Sequence, residues 1–247
     1  MRGRRLLHRF LAVSIAVGIW WWLSAFLWSD NPVLAGIRPD RAASAFVDIV
    51  TTSDGWTDIR TSLVRLLIGL VTALGIGLPL GLLLGSRRAV EDAMAPVINF
   101  LRMISPLAWA PLVIVAFGVG SAPVIFLIAV TAVWPFALGT SAGVRAVRPG
   151  WRDVTTSLGA NKWETLQLVI VPAVRGHVLT AGRLALGVAW IVLVPAEMLG
   201  VDSGLGYAVL NARDQLNYPA LGGTVLLIGL IGYTLDTTFR FVLRPQN

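Results

Sequence analysis

The sequence contains no cysteine and a single lysine, Lys162. Without cysteine there is no disulfide framework and no thiolate metal site. A phosphate-cradling P-loop needs G-x-x-x-x-G-K-[ST], with its lysine on the phosphates. Lys162 stands between Asn161 and Trp163, outside any such motif, so ATP-driven work would need a partner chain. Charge is scarce as well. Asp, Glu, Lys and Arg make up 13% of the 247 residues, about half the share of a soluble domain. The two histidines, His8 and His177, lie far apart with no carboxylate cluster beside them, so no metal site is expected.

What fills the chain is apolar: 56% of residues are hydrophobic. About 20 apolar residues in helical form cross a ~30 Å hydrocarbon core. Six windows qualify, roughly 10–28, 63–85, 95–117, 122–142, 178–199 and 222–243. The expectation is an all-α polytopic membrane protein of about six spans. The net charge of +7 points to membrane topology and not to nucleic acid. With both termini inside, fourteen basic residues fall on the inner side, among them Arg87, Arg88, Arg145, Arg148, Arg152 and Lys162, and four on the outer side, Arg38, Arg41, Arg60 and Arg213. That asymmetry follows the positive-inside rule. The opening MRGRRLLHRFLAVSIAVGIWWWLSAFLW resembles a signal peptide, but its apolar run is long and no small-x-small cleavage site follows. It is expected to remain as the first span, with Trp20, Trp21, Trp22 and Trp28 near the outer interface.

Two regions are expected: 1–59, holding the first span and an external segment with the turn signals SDNP and TSDGW, and a main domain over 60–243. Within that domain Pro96, Pro106 and Pro111 punctuate the third span. Such irregularity at membrane depth is tolerated where backbone is buried in protein or lines a cavity. Between the fourth and fifth spans lies a polar stretch, about 149–172, PGWRDVTTSLGANKWETLQLVIVP. Pro149-Gly150 opens one short helix and Gly159 is placed to stop it. Asn161 can cap a second helix while Glu164, three residues on, reaches back to it. Trp163, Leu166 and Val169 or Ile170 recur at helical spacing, and Pro172 is expected to end the pattern. A plain connector needs neither caps nor a stripe.

This stretch resembles the cytoplasmic loop of importer-type ABC transporter permeases, whose pattern is E-A-A, three residues, G, nine residues, I-x-L-P. Gly159 is followed by nine residues and then Val169-Ile170-Val171-Pro172; Asp153, Val154 and Thr155 stand at the acidic and two alanine positions. SPLAWAPL at 105–112, VWPFALGTSAGVRAV at 133–147, AWIVLVPAEMLG at 189–200 and SGLGY at 203–207 are similar to the nitrate/sulfonate/bicarbonate group, most to its nitrate, cyanate and bicarbonate branch. The resemblance implies an inner-membrane permease with no catalytic residues. It would pair with a second permease copy, identical or a paralogue, and dock through Asp153, Gly159, Ala160, Asn161, Trp163, Glu164 and Pro172 on a cytoplasmic ABC ATPase dimer. That dimer would bind ATP and Mg, leaving this chain without a cofactor. A periplasmic or lipid-anchored binding protein would deliver a small anion such as nitrate, bicarbonate or cyanate. An aliphatic sulfonate such as taurine is the alternative cargo, and an ion-coupled secondary transporter the remote one.

Ionisable and aromatic residues inside spans are the candidate translocation pathway: Arg102, Ser105, Trp109, Trp134, Arg183, Trp190 and Glu197, the three tryptophans having packing as their commoner role. Arg102 can attract an anion or snorkel to the inner surface. Arg183 and Glu197, fourteen residues apart, fall close to one helix face. Arg183 can snorkel in turn, and Glu197 can sit capped or solvated at the outer end. Asp236 and Arg240 form an i,i+4 pair in the favourable order.

Overall fold

The computed structural model describes residues 2–27, 33, 36–147 and 149–242. Among these residues every regular element is helical. In chain order they are α1 (Arg2–Trp22, continued by a π-turn over Leu23–Leu27), α2 (Pro39–Thr51), α3 (Ser53–Ser86), α4 (Arg88–Met103), a 3-10 turn (Pro106–Trp109), α5 (Ala110–Phe117) and α6 (Ser121–Ala146). Then follow α7 (Pro149–Ser157), α8 (Lys162–Thr165), a π-turn (Leu166–Ile170), α9 (Val171–Gly200), α10 (Leu205–Asp214) and α11 (Tyr218–Val242). Four helices among the described residues are long and apolar enough to cross a membrane: Ser53–Ser86, Ser121–Ala146, Trp163–Gly200 and Tyr218–Phe241. The pair Arg88–Met103 and Pro106–Phe117 makes a fifth if taken as one broken span, and Ser14–Phe26 is a shorter apolar helix.

The chain divides into two compact units, Met1–Thr61 with Ser203–Ile231 and Ser62–Asp202 with Gly232–Asn247. In the first unit, α2 packs small residues on small residues. A Cβ added to Gly222 would come within 3.1 Å of the Ala42 Cβ, and one on Gly223 within 3.0 Å of the Ala45 Cβ. Asp58 accepts a 2.7 Å hydrogen bond from the Gly204 N–H at the start of α10. The turn signals expected around 52–56 mark only a one-residue break. Thr52 is extended, its hydroxyl accepts from the Gly55 N–H, and Ser53-Asp54-Gly55 already form the first turn of α3. Asp54 there complements the positive end of the helix dipole, so TSDGW starts a helix and does not sit in a loop. SDNP lies outside the described residues.

In the second unit α6 lies between α3 and α9. Gly69, Ala73, Gly77, Gly81 and Gly85 recur every four residues on α3, one face of a helix. A Cβ on Gly81 would land 2.4 Å from the Ala137 carbonyl oxygen, and one on Gly77 2.7 Å from the Phe136 Cβ. On the other side of α6, Gly139 meets Ala181 and Gly143 meets Val174 and His177 of α9. Lipid tails offer no hydrophobic gain between helices, so this close approach through small residues is what joins them. Leu66, Ile128, Phe136, Ala185 and Leu193 fill the core between.

The third expected span is bent by 81° between its two helices. Ile104 and Ser105 are extended there, as the residue before a proline is disfavoured in helical conformation. Pro106 and Pro111 restart the chain near helix N-termini, where their missing N–H costs nothing.

Candidate functional site

The stretch from Pro149 forms a capped corner. α7 ends at Ser157 and is closed off by Gly159, whose φ is +78° and whose absent Cβ would meet nothing within 4 Å. Glycine is needed here for backbone conformation, not for space. The Ala160 N–H donates to the Thr155 carbonyl at 3.0 Å, the six-to-one bond of a Schellman ending. Asn161 then starts α8: its Oδ1 accepts from the N–H groups of Trp163 and Glu164, both at 2.9 Å, and Glu164 Oε2 accepts from the Asn161 N–H at 2.7 Å. This is the reciprocal box expected from the sequence.

Pro172 does not end the second helix as expected. The helix runs from Trp163 to Gly200 without interruption, with the π-turn over Leu166–Ile170 immediately before Val171-Pro172. One π-type turn widens the ladder locally, and Pro172 follows it directly, as the second residue of α9. The corner leaves Trp151, Val154, Leu158, Trp163 and Leu168 each more than half exposed. An apolar cavity of about 330 Å³ lies under it, lined by Trp151, Leu168, Val169 and Pro172 with Ala146 and Val147. Asp153 lies on α7, but its side chain is outside the described residues.

The structure divides the candidate pathway residues into separate groups. Arg102, Trp109 and Trp134 line one cavity of about 230 Å³ at the bend, together with Pro106, Thr131 and Pro135. Arg102 also lines a larger cavity, about 780 Å³, with Pro172, His177, Thr180 and Leu184. Ser105 is the exposed residue just before the 3-10 turn. Arg183 is not on either cavity; its Nε donates to Asp236 Oδ1 at 2.7 Å, and Asp236 Oδ2 accepts from Arg240 Nε at 2.8 Å. Trp190 packs against the core beside Gly232.

Glu197 is neither solvated nor at an open end: it is fully buried. Its carboxylate accepts from Arg65 Nη1 at 2.8 Å and from the Ser62 hydroxyl at 2.7 Å, while Arg65 Nε donates to the Ser121 hydroxyl at 2.9 Å. Three helices, α3, α6 and α9, are joined there. Burying a carboxylate is tolerable only with such a partner. Sequence reading did not pair Arg65 with Glu197. The available signal was Ser62 and Arg65 three residues apart on one face at the edge of an apolar run.

The sequence family described as binding-protein-dependent transport system inner membrane component matches residues 77–244. The bicarbonate transport system permease protein CmpB of Synechococcus elongatus is 36% identical over 76% of this chain and 66% of its own length. The nitrate import permease protein NrtB of Synechocystis is 31% identical over 96% and 88%. The taurine transport system permease protein TauC of Escherichia coli is 29% identical over 94% and 86%. Among solved structures, a chain of the MetNI methionine ABC transporter has a TM-score of 0.65 at 17% identity, covering 74% of this chain and 92% of that one. At that identity the likeness speaks for the fold alone.

Proposed function

The chain belongs to the family of binding-protein-dependent transport system inner membrane components and is a permease subunit of an ABC importer, and on that premise we propose that its cargo is a small anion of the nitrate, bicarbonate or cyanate type. In this family ATP is hydrolysed by separate ATPase subunits, and a binding protein supplies the cargo. The observation that carries the anion reading is the lining of the two cavities at the bend. Among the described residues Arg102 is the only charged side chain on either, and no carboxylate faces them. A cation in a spanning segment beside water-accessible space is the usual mark of an ion path.

The corner at Gly159 is the part on which the ATPase would dock, with Asp153, Ala160, Asn161, Trp163, Glu164 and Pro172 around it. Its exposed aromatic and aliphatic side chains supply the apolar patch that such a contact needs. Both termini and this corner would then face the cytoplasm, and a second permease copy would complete the pore. Alternating access follows from closure of the ATPase dimer on ATP, which would move the rigid capped corner and the long helix joined to it. Mg accompanies ATP on the partner, not here.

The test is uptake into proteoliposomes holding this permease with its ATPase and binding protein. ATP-dependent uptake of nitrate or bicarbonate, absent when the ATPase is omitted, is the expected result. Uptake of taurine in place of both would overturn the cargo, and uptake without the ATPase would overturn the coupling scheme.

A further inference from the structure

Four arginines of the second unit are neutralised in place. Arg65 is held by Glu197, Arg145 by Glu91, and Arg183 and Arg240 by Asp236. Arg102, like Arg87, Arg88 and Arg175, makes no side-chain hydrogen bond or ion pair among the described residues, but of these four it is the one that stands where the 81° bend begins, on the wall shared by both cavities. The indole N–H groups of Trp109 and Trp134, on the smaller cavity, likewise donate to no other described residue. Thr131 contributes no donor, because its hydroxyl is spent on the Leu127 carbonyl at 2.7 Å. The residues lining the chamber therefore carry N–H donors and one positive charge, with no carboxylate among them.

We propose that this chamber is an oxyanion site within the permease itself, in which Arg102 grips a small planar oxyanion and the indoles of Trp109 and Trp134 wall it. The proposal rests on the anion reading above and gives it an address. A volume of about 230 Å³ is room for roughly eight waters at ~30 Å³ each. An ion of four heavy atoms thus enters with part of its water shell, and dehydration is shared between water and protein. The guanidinium is a planar fork that matches two oxygens of a planar oxyanion at once. The larger cavity meets this chamber at Arg102 and would serve as its vestibule.

The experiment uses the assembled complex with 5-fluorotryptophan incorporated, the Trp109 and Trp134 resonances being assigned through Trp109→Phe and Trp134→Phe. Sodium nitrate, against gluconate at constant ionic strength, should shift both resonances saturably. Arg102→Lys should keep the shift, and Arg102→Gln should need about tenfold more nitrate, the factor that one charged hydrogen bond carries. In uptake, Arg102→Gln should lower the maximal rate while half-saturation, set by the binding protein, stays. Unmoved resonances in the unsubstituted complex, or an equal shift in Arg102→Gln, would overturn the site. The two readings fail separately. A complex that carries neither nitrate nor bicarbonate but still shows the saturable shift loses the cargo reading and retains the site. One that carries nitrate with an unaltered maximal rate in Arg102→Gln retains the cargo and loses the site.

Discussion

Arg65 and Glu197, 132 positions apart in sequence, form an ion pair at 2.8 Å with side-chain exposures of 4% and 0%. Ser62 donates to the carboxylate and Ser121 accepts from the guanidinium. Because α3, α6 and α9 each contribute a side chain, the pair fastens one end of the second unit. With its carboxylate engaged by Arg65 and Ser62, Glu197 ties α9 to α3.

Glu197→Ala leaves a buried guanidinium uncompensated and should destabilise the chain by about 3–5 kcal/mol. Thermal unfolding in detergent would read it as a large drop in midpoint. The exchange Arg65→Glu with Glu197→Arg should recover part of the loss, and an unshifted midpoint in Glu197→Ala would show that the pair holds nothing together.

The glycine stripe of α3 gives a paired comparison on one helix. A side chain at Gly81 collides with α6 backbone, whereas a Cβ on Gly75 meets nothing within 4 Å. Gly81→Val should abolish folded protein on size-exclusion chromatography, and Gly75→Ala should leave the elution profile as it is. Equal tolerance at both positions would mean that α3 and α6 do not approach closely at Gly81.

At Gly159 the cost is conformational. Any L-residue at φ +78° loses roughly 1–2 kcal/mol, so Gly159→Ala should weaken capture of the ATPase subunit on affinity beads. Gly150, on α7 without a positive φ and with open space around it, is the control. Gly150→Ala should capture the ATPase as well as the unsubstituted chain.

Asn161 satisfies two amides at the start of α8, and its replacement by alanine should cost about 1 kcal/mol. Hydrogen exchange should quicken at the Trp163 and Glu164 amides in Asn161→Ala. Asn161→Asp, which caps equally well, should keep them protected, and unchanged exchange in the alanine variant would remove the cap from the account.

Much of this was legible along the chain. Gly159, Asn161 and Glu164 act within five residues of one another, so their caps are local chemistry that spacing reveals. The i,i+4 pair of Asp236 and Arg240 is local too. Where the reading failed, a local rule met a wider context. Pro172 looked like a stop, but a π-turn ahead of it carries the helix through. Thr52–Trp56 looked like a turn, but one extended residue sufficed before the next helix began.

The sequence by itself determined the solvent and the class. Long apolar runs with little charge have no stable place except lipid, and there the backbone must satisfy itself as helix. Only the tertiary structure decided the partners of the charged residues. Arg65, Arg102, Arg183 and Glu197 look alike in a hydropathy plot, as isolated charges in grease. Packing gave Arg65 to Glu197 and Arg183 to Asp236, and left Arg102 on the wall of two cavities. A charge at membrane depth is settled by whatever lies within a few ångströms of it, and for these residues that neighbour comes from another helix.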